Sequence, residues 1–297
     1  MNEKTLIVIT GPTGIGKTAV AIAVAQHLGC EIINADSRQI FRDIPIGTAA
    51  PTAEVKHHFV AFKNLDEYYS AAQFETDVMA LLPNFWAKGD YAVLCGGSMM
   101  YVDAVCKGID IVPDITDEIR TQAKQELAQH GLEPLLKELQ QSDPEYFAIV
   151  DKKNPKRIVH ALEVCRQTGK PYTSFRTGNK KERPFRIVKI GLNMERAELF
   201  DRINRRVDAM MEAGFEQEAR SVYHLRHYNS LNTVGFKEMF AYFDGTMDFI
   251  TARERMKKNT RVYAKKQLTW YAKDPDIQWF HPCEAKERII QIINNIH

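Results

Sequence analysis

Apolar and polar positions follow two regimes along this chain. A short unbroken apolar run, KTLIVIT at 4–10, stops at a glycine-rich loop, and KTAVAIAVAQHL at 17–28 then continues too long for a strand. The pattern predicts strand, loop and helix, with Gly29 ending the helix. EIINA at 31–35 predicts a second strand running into Asp36, and YAVLC at 91–95 a third running into Gly96-Gly97 and another helix. Strands alternating with helices imply a parallel sheet, whose ligands lie beyond the carboxyl ends of the strands. Asp36, Gly96 and the first loop are therefore expected at one crevice.

The pattern changes at about 113. Helical periodicity covers 115–130, 132–141 and 154–168, with no convincing strand before FRIVKIGL at 185–192 returns the chain to the sheet. Helices are expected to fill the remainder, including a long one over about 247–273 that ends near Pro275. Pro83, inside the helical pattern at 71–88, should kink or break it. The fold expected is α/β: a P-loop NTPase-like parallel sheet flanked by helices, made of 1–112 and 182–297, with an all-helical subdomain inserted at 113–181.

Composition narrows the class. The chain has 297 residues, 44% hydrophobic and 26% charged, enough for a sizeable core. No apolar run reaches the roughly 18 to 20 residues of a membrane span and no signal-peptide pattern opens the chain, so we expect a cytoplasmic protein without membrane contact; separately, a monomer is expected. The five cysteines are odd in number and widely spaced, which indicates neither a disulfide framework nor a zinc cluster. His57-His58 and the single histidines lack metal-ligand spacing and read as structural. Net charge is only +2, but 151–189 holds twelve Lys or Arg against three acids, and 253–273 eight against one. Two basic segments on an otherwise acidic body point to a polyanionic partner. In the second segment Lys257, Arg261 and Lys265 fall at i, i+4 and i+8, a stripe equally consistent with a solvated helix face.

The first loop carries the clearest chemistry. Gly11, Pro12, Thr13, Gly14, Ile15, Gly16, Lys17 and Thr18 match G-x-x-x-x-G-K-[ST] in full, between a strand and a helix as the motif requires. Backbone amides and the helix N-terminus would cradle phosphates, Lys17 would add a point charge, and Thr18 would ligate Mg²⁺. The motif calls for a diphosphate-type ligand and leaves ATP open. Asp36 has three readings at this point: a magnesium ligand, a base taking a proton from a nucleophile opposite the diphosphate, or an N-cap.

Further blocks carry a family resemblance. Asp36-Ser37-Arg38-Gln39, Ile46-Gly47-Thr48-Ala49, Gly96-Gly97-Ser98-Met99-Met100-Tyr101, Val234-Gly235-Phe236-Lys237-Glu238 and the run from Arg261 to Trp270 resemble, in order, the signature blocks of tRNA dimethylallyltransferases (tRNA isopentenyltransferases). The resemblance implies transfer of the dimethylallyl group of dimethylallyl diphosphate to N6 of the adenosine 3′ to the anticodon, with Mg²⁺ as cofactor and the anticodon stem-loop of tRNA as partner. Carried over by position, Asp36 becomes the base, Ser37, Arg38 and Gln39 help hold the adenine, and Ser98 lines the reaction channel. Thr13, Lys17, Thr18 and Arg261 become diphosphate or Mg²⁺ contacts. Arg120, the run Lys156, Arg157, Ile158, Val159 and His160, and the run Asn232, Thr233, Val234, Gly235, Phe236 and Lys237 become tRNA contacts. The sequence departs from the family pattern at Ser98 for Thr, Phe236 and Phe41 for Tyr, Lys266 for Arg and Ala272 for a basic residue. The Lys266 change replaces a bidentate grip by a point charge.

Two rivals compete with this reading. A small-molecule P-loop kinase would use ATP and set Asp36 against a hydroxyl acceptor, but lacks a second acid where the strand at 91–95 ends in glycines. A non-catalytic RNA-binding protein would have no use for Lys17, Thr18 and a carboxylate together.

Overall fold

The computed structural model describes residues 3–51, 54–178 and 180–295. They form two compact units, one from the described residues of Met1–Lys107 and Glu182–His297 and one from those of Gly108–Lys181.

The larger unit is built on six parallel strands: β1 (Thr5–Thr10), β2 (Ile32–Asn34), β3 (His57–His58), β4 (Tyr91–Cys95), β5 (Arg186–Leu192) and β6 (Ile277–Phe280). Their order is β3-β2-β4-β1-β5-β6, with every pairing parallel. All six residues of β1 are buried, because the strand is central and covered by helices on both faces. Leu6 and Val8 join one apolar layer with Phe74, Leu94 and Met239. Ile7 and Ile9 join the other with Val20, Val24, Ile203 and Ile289. β1 delivers the chain to the loop at 11–16, where Gly11 has φ 142° and a Cβ would lie 2.7 Å from the Leu192 carbonyl oxygen. Only glycine lets the loop turn this close to β5. Helix Lys17–Leu28 follows and ends at Gly29, φ 63°.

Two expectations need correction. Helix Ala71–Trp86 runs through Pro83 without a break. The proline sits in the last turn, so few backbone bonds lie beyond it, and buried Leu82 and Phe85 pin that turn to the core. The segment after the long helix is not all helical: β6 adds an edge strand beside β5, with Lys189 opposite Ile277. The doublet His57-His58 forms the other edge strand, and the imidazole of His58 pairs with the Glu31 carboxylate at 2.5 Å.

The second unit contains helices Asp117–His130, Glu133–Ser142, Pro144–Ile149 and Pro155–Thr168. Its core gathers Ala123, Leu135, Leu139, Tyr146, Ile158 and Leu162. Asp143, fully buried, accepts from the Tyr146 and Thr173 amides at 2.9 and 2.8 Å, so its charge is met inside the fold. Arg166 clasps Glu126 and Glu138 at 2.6 and 2.5 Å. No helix among the described residues is long and apolar enough to cross a membrane.

Candidate active site

The loop after β1 lines a cavity of about 610 Å³ together with Asn34, Asp36, Gln39, Cys95 to Gly97, Arg202, Arg205, Arg206, Tyr263 and Gln267. This is the carboxyl end of the sheet, where β1, β2 and β4 all terminate. A second cavity of about 310 Å³ is lined by Asp36 to Arg38, Gly47, Thr48, Ser98, Asn232 to Val234, Lys237 and the helix residues Met256, Thr260 and Tyr263. The two share Thr13, Asp36, Arg206 and Tyr263. Asp36 thus stands where the space lined by the P-loop meets a separate, more enclosed one.

On the first side, the Lys17 ammonium folds back onto the carbonyls of Gly11 and Pro12 at 3.1 and 2.9 Å. Burial lowers its pKa to about 8, with the charge of Asp36 opposing the fall. Thr18, exposed in the first helical turn, also lines this cavity. Arg206 donates to the Thr13 hydroxyl at 3.2 Å and Arg202 to the Gly14 carbonyl at 3.2 Å. Burial lowers the pKa of Arg206 and the Asp36 charge works against that shift. The Cys95 thiol is buried and pushed up to about 12, so it stays protonated at neutral pH.

Asp36 leaves β2 into a tight turn rather than a helix. Its Oδ1 accepts from the amides of Arg38 at 2.9 Å and Gln39 at 3.4 Å, which removes the helix-cap reading and leaves Oδ2 without a hydrogen-bond donor among the described residues. Ser98 steadies the same turn: its hydroxyl accepts from the Ser37 amide at 2.8 Å and donates to the Ser37 hydroxyl at 3.1 Å. The side chains of Arg38 and Gln39 are committed to backbone, Arg38 to Asn229 and Ser230, Gln39 to Thr48 and Ala49. They tie the turn to the segments bounding the second cavity.

Mg²⁺ binds through one or two protein oxygens plus substrate phosphates. No cluster of three or more His, Cys, Asp or Glu residues suited to a metal occurs among the described residues, and the Thr18 hydroxyl and Asp36 carboxylate line the phosphate-side cavity together. Of these, the Thr18 hydroxyl is a hard oxygen donor that fits the ion when a diphosphate completes the shell.

Several expected contacts fall elsewhere. Arg261 is not among the residues lining either cavity; it donates to Asn204 Oδ1 at 2.5 Å and lies over the Phe200 ring, joining helix Phe249–Tyr271 to helix Arg196–Glu212. The face of the long helix that does reach the cavities is Met256, Thr260, Tyr263 and Gln267, at i, i+4, i+7 and i+11. Lys257 is buried and paired with Asp208 and Glu254 at 2.9 and 3.1 Å, so the basic stripe is interrupted. Phe236 is fully buried against Phe215, at 5.0 Å between ring centres, and Gly235 gives its amide to Glu238. Their neighbours Asn232, Thr233, Val234 and Lys237 line the second cavity. In the helical unit Ile158 and Val159 are core residues whose side chains are withdrawn from any RNA, whereas Lys156, Arg157 and His160 are exposed and Arg120 is half-buried.

Arg202, Arg206 and Gln267 were not singled out from the sequence. The signal available was the spacing of Arg202, Arg205 and Arg206 at i, i+3 and i+4 on one helix face. Gln267 stands in the signature run from Arg261 to Trp270, but nothing local pointed to its contacts, because its partners lie 254 and 170 residues away.

A family model described as IPP transferase matches residues 39–274. The chain is 54% identical to tRNA dimethylallyltransferase 1 of Phocaeicola vulgatus over 297 residues, covering 99% of each. To tRNA dimethylallyltransferase 1 of Bacteroides fragilis it is 54% identical over 291 residues, 97% of each. Among solved structures it resembles the tRNA isopentenylpyrophosphate transferase of Bacillus halodurans with TM-score 0.71 and 33% identity, over 99% of this chain and 97% of that one. It resembles a eukaryotic dimethylallyltransferase captured acting on tRNA with TM-score 0.80 and 26% identity, over 98% of this chain and 79% of that one. On the matched span and on identity across nearly its whole length, the chain belongs to the IPP transferase family.

Proposed function

We propose that the protein transfers the dimethylallyl group of dimethylallyl diphosphate to N6 of the adenosine 3′-adjacent to the anticodon of tRNA. The observation that carries this reading is the meeting of two cavities at Asp36. One is lined by the P-loop, Lys17 and three arginines, which suits a diphosphate. The other is bounded by Ser37, Ser98 and the Asn232–Lys237 segment, which suits a flipped-out base.

The N6 lone pair attacks C1 of the donor, the C1–O bond breaks, and diphosphate leaves with the bonding electrons. The loop amides, Lys17 and Arg206 meet the charge that grows on the leaving oxygens. Asp36, whose Oδ1 is held by the turn, takes the N6 proton on its other oxygen and so makes a delocalised amine a competent nucleophile. Bound Mg²⁺, held by Thr18 and the diphosphate, would supply further charge neutralisation at the leaving group. Walls such as Val207, Met210 and Met256 exclude water from the allylic carbon.

In the helical unit we assign Lys156, Arg157 and His160, with Arg120, to RNA phosphates. The kinase reading is not favoured: β4 ends in Cys95 and two glycines, leaving no second acid for an ATP-bound metal. The test is incubation with labelled dimethylallyl diphosphate, Mg²⁺ and unmodified tRNA in the absence of ATP. Label entering RNA is expected, and a strict requirement for ATP hydrolysis would overturn the assignment.

A further inference from the structure

Gln267 is 2% exposed, on the inner face of helix Phe249–Tyr271. Its Oε1 accepts from the Thr13 amide at 2.8 Å and its Nε2 donates to the Gly97 carbonyl at 2.8 Å. The orientation of the side-chain amide is dictated by its partners, since an N–H faces one end and a carbonyl the other. A Cβ on Gly97 would lie 2.4 Å from Nε2, so the glycine is what lets the two approach.

The two partners belong to opposite halves of the site. Thr13 is part of the diphosphate loop and borders both cavities. Gly97 precedes Ser98, which holds Ser37 and with it the turn that carries Asp36. A continuous path therefore runs from the donor loop through Gln267, Gly97, Ser98 and Ser37 to the base. Arg206 fastens Thr13 from the other side through its hydroxyl. A buried amide bonded at both ends fixes the separation of the two segments it joins, because losing either bond strands a polar group.

We propose that Gln267 is a positioning residue that holds the diphosphate loop and the Asp36 turn at their reacting separation. Both polar atoms of its side chain are spent on Thr13 and Gly97, so it acts through them. The inference rests on the functional reading above, and its test separates the two.

The experiment is single-turnover transfer from labelled dimethylallyl diphosphate to unmodified tRNA by the full chain, wild type and Gln267→Met, with donor affinity measured independently. Methionine keeps the volume and removes both hydrogen bonds. The rate constant per active site should fall by about tenfold to a hundredfold, as expected when reacting groups drift by up to about 1 Å. Donor affinity should change by less than about threefold, since Lys17, Thr18 and the remaining loop amides are untouched. A merely structural role would lower the amplitude, which counts folded active sites, and leave the rate constant within about twofold of wild type; that result overturns the proposal, as does a loss carried wholly by donor affinity. Should Gln267→Met yield too little folded protein, Gln267→Glu replaces it under the same rate criterion, because it keeps the acceptor for Thr13 and loses the donor to Gly97. Failure of wild-type protein to transfer label overturns the functional reading and the inference with it. Transfer by wild type with an unchanged variant rate constant overturns the inference alone.

Discussion

Asp36→Asn separates the roles open to this carboxylate. The substitution keeps one oxygen for the Arg38 and Gln39 amides, at 2.9 and 3.4 Å, so the turn should survive. What it loses there is the difference between a charged and a neutral acceptor, about 1 kcal/mol. Loss of a general base costs about 10²- to 10⁴-fold in rate, or about 3 to 5 kcal/mol of barrier. The chemical loss therefore outweighs the structural one several times over, and turnover should fall far more than stability. Donor affinity supplies the sign that tells base from metal ligand. Asp36 opposes the pKa shifts of Lys17 and Arg206, so its negative charge is felt at both cations. Removing that charge from the cavity should leave donor binding unchanged or tighter. Were Asp36 chiefly a magnesium ligand, donor binding would weaken and recover at high Mg²⁺. Steady-state transfer, donor titration at two Mg²⁺ concentrations and urea unfolding read the three quantities on one variant. Turnover within about threefold of wild type would refute the assignment as base, since no general-base contribution is that small.

Other outcomes follow from the same geometry. Burial holds Lys17 at about 8 in the free protein, and a bound diphosphate raises that value, so donor affinity should be flat below pH 8 and fall about tenfold per unit above it; calorimetric titration of wild type and Lys17→Gln, which should lose this dependence, checks the sign. Neutralising Lys156 and Arg157 together should lower the salt slope of tRNA binding by about 2. Lys257→Gln, which removes a buried charge already paired with Asp208 and Glu254, should leave that slope unchanged. Phe236→Ala should cost about 3 to 5 kcal/mol in denaturant unfolding, because the ring is fully buried against Phe215.

Local pattern was enough for much of this protein. The strand at 91–95 and the helix at 17–28 stand where periodicity puts them, and the helices at 117–130 and 155–168 within two residues of it, because period and stop residues are properties of contiguous sequence. The P-loop was legible for the same reason: eight consecutive residues carry all of its backbone chemistry. The short β6 was not, since four residues show no period and become a strand only by pairing with β5. Side-chain direction was the larger gap. Each helical step turns a residue by about 100°, so of neighbouring positions Thr260 lines a cavity while Arg261 bonds to Asn204, and Lys156 faces water while Ile158 enters a core. Gln267 and Arg206 reach Thr13 across 254 and 193 residues of chain. Nothing in either neighbourhood announces such a partner, and only the packing of the two long helices over the sheet brings these side chains to the loop.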